Sequence, residues 1–349
     1  MIATPTLSEP VKARSASKFL PSLGILLVAG GLFLVGWFVY LWFQPEPPPY
    51  HYRVVEEGGP DKFPNLGLEN YPYLTIGKLE VQVDAIDQPL AFVYRANRSG
   101  FDPVLLYVEN KFPEPILSME EGLSETIAVS SAIAKHVPND AVIVAWWDTS
   151  RKLALLSDRP TLFTAYLGLP VIAPSYWRDR FEAIEQYEQK FWGKQASPEE
   201  RAQFNRFIEA LMAYPHQGAA MLRELVGSRE AYVVVHVSDI YKLGLMRPDR
   251  IDVAFKDFPL TGNVHGLSGQ VKAWLTNNDY TSYTLQSLSE KQVRAYFLRE
   301  SGASNILLAK MLPFSNFRPM DLDALQLIHK EGGYWIYKIP SAEQIQRQN

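Results

Sequence analysis

The sequence predicts a mixed α/β fold, with a single N-terminal transmembrane helix followed by an exported α/β domain. Three observations predict it. A run of 27 residues without a charge, Phe19 to Pro45, lies near the N-terminus. Strand-like alternation begins at Tyr71 and predicts a small antiparallel β subregion. Helix and strand patterns then alternate to about residue 340, as is typical of a partly parallel sheet.

The apolar run predicts a membrane span over residues 19–44. At about 1.5 Å per residue it exceeds the roughly 30 Å of bilayer hydrocarbon. Trp37, Tyr40 and Trp42 lie at its distal end, where interfacial aromatic residues are common. A cleaved signal peptide is the alternative, but the length of the run and the following FQPEPPPY favour an uncleaved anchor. Residues Phe19 to Phe43 are therefore expected to contact the lipid bilayer.

The charges on either side of the span predict its orientation. The tail of residues 1–18 carries Lys12, Arg14 and Lys18 against Glu9 alone. By the positive-inside rule, this tail is expected in the cytoplasm and the rest of the chain outside it. Removing the +2 of the tail from the total of −4 leaves about −6 on the exported part.

Composition excludes several classes of function. The chain has 47% hydrophobic and 21% charged residues, which is a globular composition, and its net charge of −4 disfavours nucleic acid as a partner. It has no cysteine, so it can form no disulfide and hold no c-type haem or cysteine-bound iron–sulfur cluster. We therefore expect no cofactor, and any nearby redox chemistry belongs to a partner.

The remaining elements follow in order. Residues 45–70 contain PEPPP and little periodicity, and predict a linker. Residues 71–117 carry three alternating segments (LTIGKLEVQVD, LAFVYRA and VLLYVEN) and predict the antiparallel β subregion. Residues 118–340 predict the α/β domain, and residues 341–349 a C-terminal tail.

Within the α/β domain, Ser118 and Glu121 have the spacing of a capping box that opens a helix. AVIVAWW predicts a buried strand, residues 149–157 a short helix, and TLF the start of another strand. Residues 176–226 predict helices, one of which begins at Ser197-Pro198-Glu199-Glu200.

The second half of the domain begins with the strand AYVVVHV (231–237). Short helices are then expected near 240–245 and 269–275, and strands at 251–258 and YTLQSL. Residues 290–299 predict a helix and NILLAKM a strand. The chain is expected to end in a hairpin whose strands, LQLIHK and YWIYKI, flank Glu331-Gly332-Gly333.

The sequence assigns no catalytic residue and no metal site. None of the six histidines has a partner at i,i+4 or an adjacent acidic ligand motif; they are His51, His136, His216, His236, His265 and His329. There is no nucleophile elbow, P-loop or dinucleotide-binding fingerprint. The glycine-rich Gly262 to Gly269 predicts a flexible loop.

Two strand ends supply the candidate ligand or partner site. Asp148 follows AVIVAWW, and Asp239 follows AYVVVHV. In open α/β sheets, ligands collect outside the carboxyl ends of strands, so adjacent strands would bring these groups together. The candidate residues are Trp146, Trp147, Asp148, Thr149, Arg151, Arg159, His236 and Asp239.

Simpler structural roles remain open for these residues. Asp148 and Asp239 could cap the following helices. Trp146 and Trp147 could only pack, pointing to opposite faces of a strand. Arg151, Lys152 and Arg159 could form an anion patch, or Arg159 could pair with a neighbouring acid. An enzyme using Asp148 and Asp239 would need their carboxyls within roughly 5–10 Å.

The stretch VIVAWWDTSRKLALLSDRPTLF resembles the exported domain of oligosaccharyltransferase catalytic subunits in its order of strand, WWD, helix, arginine and strand. That resemblance implies a glycan- or lipid-linked-sugar-binding domain. Thr149-Ser150 stands where that family has Tyr-Gly, and the multi-span catalytic part of the family is missing.

The whole layout is more similar to the hydroxylamine oxidation protein HaoB family. The resemblance is carried by the basic tail, the single span, the absence of cysteine, and the pattern WWDTSR-LLS-R-TLF followed by LG-P. Its residues are Trp146, Trp147, Asp148, Thr149, Ser150, Arg151, Leu155, Leu156, Ser157, Arg159, Thr161, Leu162, Phe163, Leu167, Gly168 and Pro170.

The HaoB resemblance implies a non-catalytic accessory protein, anchored in the inner membrane and facing the periplasm. Its implied partner is the multihaem hydroxylamine oxidoreductase of ammonia- and methane-oxidising bacteria, which it would dock or tether.

Overall fold

The computed structural model of the chain describes residues 19–43, 47–83, 86–111, 122–167, 175–193, 195–260, 264–299 and 302–348. The chain divides into two compact units, residues 1–47 and 48–349. With one apolar N-terminal helix and both parallel and antiparallel strand pairs, the mixed α/β fold predicted from the sequence is confirmed.

The first unit contains helix α1, Phe19–Trp42. Its side chains from residue 22 onward are exposed, and Ser22–Trp42 has a mean hydropathy of 2.2. By length and composition, this helix is a candidate membrane span or signal anchor.

The second unit begins with an antiparallel sheet of four strands in the order β1-β2-β3-β4. The strands are β1 (His51–Gly58), β2 (Thr75–Gln82), β3 (Ala91–Asn97) and β4 (Val104–Asn110). The last three match the predicted alternating segments.

Strand β1 lies within residues 45–70, for which the sequence predicts a linker. It pairs with β2 from His51 opposite Gln82 to Gly58 opposite Ile76. As an edge strand it is exposed along most of its length, so it shows no buried face and its sequence has no clear alternation. Two short 3₁₀ turns follow, Pro60–Lys62 and Pro64–Leu66.

The outer edge of β1 is covered at both ends. The backbone N–H of Tyr52 donates to the Tyr187 hydroxyl at 2.8 Å. The carbonyl of Glu57 accepts from Lys62 Nζ at 3.0 Å. Between them, a β-bulge at Val54 interrupts the regular ladder.

The central sheet has the order β10-β11-β6-β5 and mixes strand directions. Its strands are β5 (Val142–Val144), β6 (Ala231–His236), β10 (Gln326–Glu331) and β11 (Tyr334–Lys338). β5 runs parallel to β6, and the other pairs are antiparallel. The predicted hairpin and the partly parallel sheet are therefore both present. The predicted strand start at TLF is reduced to one bridge, between Thr161 and Ile143.

The third sheet is antiparallel in the order β7-β9-β8. It comprises β7 (Val253–Pro259), β8 (Ser282–Ser289) and β9 (Gln292–Leu298). The helix predicted over 290–299 is wrong, because these residues form the middle strand. Both faces of β9 are buried, so its sequence lacks the alternation that marks a half-exposed strand.

The strand predicted for NILLAKM is also wrong. Leu307–Met311 forms the short helix α9, with Leu307, Leu308, Ala309 and Met311 buried. A short apolar run buried on all sides does not distinguish a helix from a strand by its periodicity.

Helix α5, Pro198–Met212, begins with the predicted capping box. The backbone N–H of Glu200 donates to Ser197 Oγ at 3.2 Å, and Ser197 N–H donates to Glu200 Oε2 at 2.7 Å. The capping box predicted at Ser118 and Glu121 lies outside the described residues. Among the described residues, the remaining α-helices of the second unit are α2 (Leu123–His136), α3 (Trp147–Ser157), α4 (Phe181–Trp192), α6 (Pro215–Val226), α7 (Asp239–Met246), α8 (Val264–Asn277) and α10 (Ala342–Gln348).

Strands β5, β6 and β11 of the central sheet are buried on both faces, whereas β10 is half exposed. On one face, Val144, Val233 and Val235 join the largest apolar cluster with α5, α6 and α7. On the other, Ile143 and Val234 join residues of α2. The carboxyl ends of β5 and β6 therefore open at one edge of a double-sided core, where α3 and α7 begin.

Candidate functional site

The tryptophans form a buried corner between β5 and α3. Trp146 is the N-cap of α3 and Trp147 its first residue, so the prediction that both lie on a strand is wrong. Their side chains are 2% and 7% exposed. Trp146 packs edge-on against Phe204 with ring centroids 5.5 Å apart, and Trp147 packs in the same way against Tyr166 at 5.2 Å. The two tryptophans therefore fill the core at the point where the chain turns from β5 into α3.

The parallel pairing of β5 and β6 brings the two predicted aspartates together. Lys242 Nζ lies 3.2 Å from Asp148 Oδ2 and 3.2 Å from Asp239 Oδ1. Its side chain is 4% exposed, while those of Asp148 and Asp239 are 27% and 2% exposed. One buried ammonium thus bridges a carboxylate that reaches solvent and one that does not, and the three groups carry a net charge of −1.

Neither aspartate occupies the N-cap position that simple helix capping would require. The N-caps of α3 and α7 are Trp146 and Ser238, and neither makes a side-chain cap bond. Asp148 Oδ1 accepts from the Thr149 N–H at 2.7 Å, within the first turn of α3. Asp239 Oδ2 accepts from the backbone N–H of His236 at 2.8 Å, which ties α7 back to β6.

The candidate His236 lies on the other side of Asp239 and is completely buried. The Ser238 N–H donates to Nδ1 at 3.2 Å, so the ring hydrogen is on Nε2. Nε2 lies 3.7 Å from Glu125 Oε2, and the ring packs on Tyr334 at 4.7 Å. A Cβ at Gly333 would overlap the imidazole, so the β10–β11 turn is in direct contact with it.

Arg151 turns away from the strand ends. Nη1 donates to the Thr164 carbonyl at 3.0 Å, and Nη2 donates to the carbonyls of Pro103 and Trp192, each at 2.6 Å. Burial lowers the pKa of the Arg151 guanidinium. Arg151 joins the first sheet to α4 through backbone carbonyls.

Arg159 is also directed elsewhere. Its Nε donates to the Val137 carbonyl at 3.1 Å and its Nη2 to the Ala134 carbonyl at 2.5 Å, at the C-terminal end of α2. The neighbouring Asp158 pairs with Arg98 at 3.1 Å. The anion patch considered for Arg151, Lys152 and Arg159 is therefore not formed by these two arginines.

Three residues of the site were not predicted. Lys242 could have been noticed, because it follows Asp239 by three residues on a helix. Glu125 and Tyr334 gave no local signal, since they reach His236 through the packing of α2 and the final hairpin.

A second buried cluster surrounds Glu188. Its Oε1 accepts from the hydroxyls of Tyr50 and Tyr52, each at 2.5 Å, and its Oε2 from that of Tyr166 at 3.5 Å. Burial raises the pKa of the Glu188 carboxyl, and the hydroxyl donors oppose that rise. Glu188 lies four residues after Ile184 and four before Trp192, so the helical period places it on the buried face of α4. This spacing is the signal from which its burial could have been predicted.

A cleft of about 950 Å³ lies elsewhere, between α6, the end of β11 and α10. Arg223 lines it, but its guanidinium donates to four backbone carbonyls, those of Gly227, Arg229, Ile339 and Pro340. In the part of the chain that the structure describes, no group of three or more metal-ligating side chains is assembled.

Comparison with known proteins identifies a matching family and a similar solved structure. The model of the family described as HaoA-associated protein HaoB matches residues 16–339. No curated protein matches the chain. Among solved structures, the C-terminal domain of C. jejuni PglB is similar, with 12% sequence identity and a TM-score of 0.36. That match covers 61% of this chain and 99% of the solved domain.

Proposed function

We propose that this chain, which belongs to the family of the HaoA-associated protein HaoB, docks or tethers the multihaem hydroxylamine oxidoreductase at the membrane. The family is accessory to hydroxylamine oxidation. The observation that carries the proposal is the extent of the match, which runs from residue 16 to residue 339, one residue beyond β11.

Anchoring is supported by helix α1 and its flanks. Its window of mean hydropathy 2.2 suits a membrane span. The basic tail before it and the acidic chain after it favour a cytoplasmic N-terminus and a domain in the periplasm. A single-span anchor would hold the domain beside a partner at the same membrane.

A docking role without catalysis is supported by how the polar groups at the strand ends are used. The carboxylates of Asp148 and Asp239 each form an ion pair with Lys242. The ammonium therefore neutralises part of the negative charge that a catalytic pair of carboxylates would use. The imidazole of His236 is enclosed by Ser238, Tyr334 and the Gly333 turn. These groups stabilise the corner where the central sheet meets α3 and α7.

The geometry does not favour sugar binding at the WWD corner. A tryptophan platform for a sugar needs an exposed ring face, and Trp146 and Trp147 are 2% and 7% exposed. Both rings make T-shaped contacts with aromatic residues of the core.

The test is co-purification from native membranes of a cell that makes both proteins. A tag after residue 349 on the full chain, followed by detergent extraction and haem staining, is expected to recover a multihaem oxidoreductase. The untagged strain serves as the control. Docking is wrong if the tagged chain is recovered intact from membranes containing the oxidoreductase and brings none of it down.

A further inference from the structure

Four oxidisable side chains converge on the buried carboxylate of Glu188. The hydroxyls of Tyr50 and Tyr52 both donate to its Oε1 at 2.5 Å, and that of Tyr166 donates to its Oε2 at 3.5 Å. The indole of Trp192 also hydrogen-bonds to the carboxylate. In a chain without cysteine, phenols and indoles are the side chains that most readily lose one electron. We call these five residues the Glu188 cluster.

The cluster places two phenols against a base in a site that excludes water. Glu188 is 6% exposed, and Tyr166 and Trp192 are 4% and 3% exposed. A phenol that loses an electron becomes a strong acid, so it is oxidised easily only where a base takes its proton. A general base must lie within about 2.6–3.2 Å of the proton donor. Glu188 Oε1 is at least that close to the hydroxyl oxygens of both Tyr50 and Tyr52.

In the part of the chain that the structure describes, no cation forms an ion pair with this carboxylate. The guanidinium of Arg151 reaches the same region, but it donates to the backbone carbonyl of Trp192 at 2.6 Å. An ion pair would make the carboxylate a weaker base. Burial instead raises the pKa of the Glu188 carboxyl, which makes it a stronger base than an exposed glutamate. The environment of Glu188 therefore suits proton acceptance.

A chain of rings connects the cluster to the surface. The ring centroids of Tyr50 and Tyr52 are 5.8 Å apart, and those of Tyr50 and Trp177 are 5.4 Å apart. On the inner side, Tyr52 contacts Trp192 at 5.6 Å. Trp177 is partly exposed, whereas Trp192 is buried. The two hydrogen-bonded phenols thus lie between an indole that reaches solvent and one that does not, at separations over which an electron moves readily.

We propose that the Glu188 cluster is a proton-coupled redox site, in which Tyr52 gives up one electron and passes its hydroxyl proton to Glu188. In this step the O–H bond of Tyr52 breaks, an O–H bond forms at Glu188 Oε1, and the electron reduces the oxidant by one electron. A neutral tyrosyl radical remains. Because Tyr50 donates to the same oxygen, it can take over the radical while Glu188 accepts the Tyr50 proton and returns one to Tyr52. The redox group is the phenol itself, so no cofactor is involved.

The chemistry of the site also defines the class of its reactant. A phenol is a poor electron donor, so only a strong one-electron oxidant oxidises it. High-valent metal centres and inorganic radicals belong to this class, and either would exchange an electron with the cluster through the partly exposed ring of Trp177. This inference goes beyond the docking proposal and does not depend on it.

The experiment generates the oxidant on the purified full chain. Asp179→Cys, at an exposed position two residues after Trp177, introduces a single thiol for a ruthenium polypyridyl photosensitiser. A flash in the presence of an electron acceptor produces Ru(III), and transient absorbance and electron paramagnetic resonance then detect the radicals. We expect a neutral tyrosyl radical that forms more slowly in heavy water, because a proton moves with the electron.

Variants made in this labelled parent test the roles of the hydroxyls and the carboxylate. Tyr50→Phe/Tyr52→Phe keeps both rings and removes both hydroxyls, so the tyrosyl signal should be lost. Glu188→Gln cannot take the proton and should slow radical formation about a hundredfold, the lower end of the effect of a positioned base, and remove the isotope effect. Tyr232→Phe is the matched control, because Tyr232 is also buried and donates to Glu230 at 2.8 Å, but it lies on β6. It should behave as the parent does.

Three outcomes would overturn the inference. One is an equal tyrosyl yield in the parent and in Tyr50→Phe/Tyr52→Phe. Another is a parent that forms only a tryptophan radical cation, since no phenol proton would then have moved. The third is a Glu188→Gln variant with the rate and isotope effect of the parent. Circular dichroism checks that each variant is folded, and co-purification of the oxidoreductase tests docking separately.

Discussion

At the scale of single residues, Lys242 holds the strand-end site together. The substitution Lys242→Met would leave the carboxylate of Asp239, which is 2% exposed, without the ammonium it binds at 3.2 Å. Breaking a buried ion pair from one side costs about 3–5 kcal/mol. We therefore expect the free energy of unfolding, measured by denaturant titration, to fall by about that amount.

The matched control is a second ion pair between a lysine and a carboxylate, which is shorter but much more exposed. Lys338 Nζ lies 2.6 Å from Glu230 Oε1, and both side chains are about 40% exposed. Since exposed ion pairs contribute about 0–1 kcal/mol, Lys338→Met should have a small effect. Equal losses for the two variants would contradict the role assigned to Lys242.

Glu188 makes stability depend on pH. Its pKa is raised in the folded state, chiefly by burial, above the ordinary value of 4.5. The folded state therefore keeps the proton at pH values where the unfolded chain has released it, and the stabilisation from this group is lost as pH rises through the folded pKa. Glu188→Gln should remove this loss, so the variant should gain stability relative to the wild type as pH increases from about 4.

Glu230 provides a control of opposite sign. Donors on Lys338 and Tyr232 lower the pKa of its carboxyl. Its contribution is present above the unfolded pKa and is lost as pH falls through the folded one. Glu230→Gln should thus make the free energy of unfolding less dependent on pH in the acidic range. Glu188→Gln should instead change its dependence on pH above 4.5. Parallel profiles for Glu188→Gln and the wild type would refute the assignment.

At the scale of elements, the turn between β10 and β11 is expected to be intolerant of a single methyl group. A Cβ at Gly333 would overlap the His236 ring. Because Gly333 has no positive φ, this effect comes from the contact and not from backbone strain. Overpacking of this kind costs about 1–3 kcal/mol, so Gly333→Ala should lower the melting temperature.

Gly269 in α8 is the comparison for Gly333. A Cβ there would have no neighbour within 4 Å. Replacing a glycine inside a helix by alanine stabilises it by about 0.5–1 kcal/mol. Gly269→Ala should therefore raise the melting temperature, and a fall for both variants would mean that the His236 contact is not the cause.

The same elements show what could be predicted from sequence. The final hairpin was predictable because two strand patterns flank Gly332-Gly333. Strand β6 was predictable from its continuous apolar run. Strand β9 was not, since burial of Arg294 and Tyr296 on one face and Phe297 on the other removed the alternation.

The site was predictable only in part, for a similar reason. Two acidic residues at the ends of two apolar strands could be expected to meet if the strands were parallel neighbours. The turn of Trp146 into an N-cap, and the contacts of Glu125 and Tyr334 with His236, depend on packing between segments far apart in sequence. Local patterns contain no information on such pairings.

At the scale of the whole molecule, orientation in the membrane can be tested cleanly because the chain has no cysteine. Single substitutions Ser8→Cys, before the span, and Ser228→Cys, at an exposed position of the second unit, each introduce one thiol. If the basic tail is cytoplasmic, a membrane-impermeant maleimide should label Ser228→Cys in spheroplasts and leave Ser8→Cys unlabelled. After detergent permeabilisation both should react. Labelling of Ser8→Cys before permeabilisation would reverse the proposed orientation.

The covered edge of β1 has a consequence for how copies of this protein behave when they are concentrated. An open sheet edge is a template for pairing between chains, and crowding brings such edges together often. The hydroxyl of Tyr187, the bulge at Val54 and the ammonium of Lys62 interrupt that template at three points. Crowded copies of the second unit can thus remain dispersed and separately accessible to a partner.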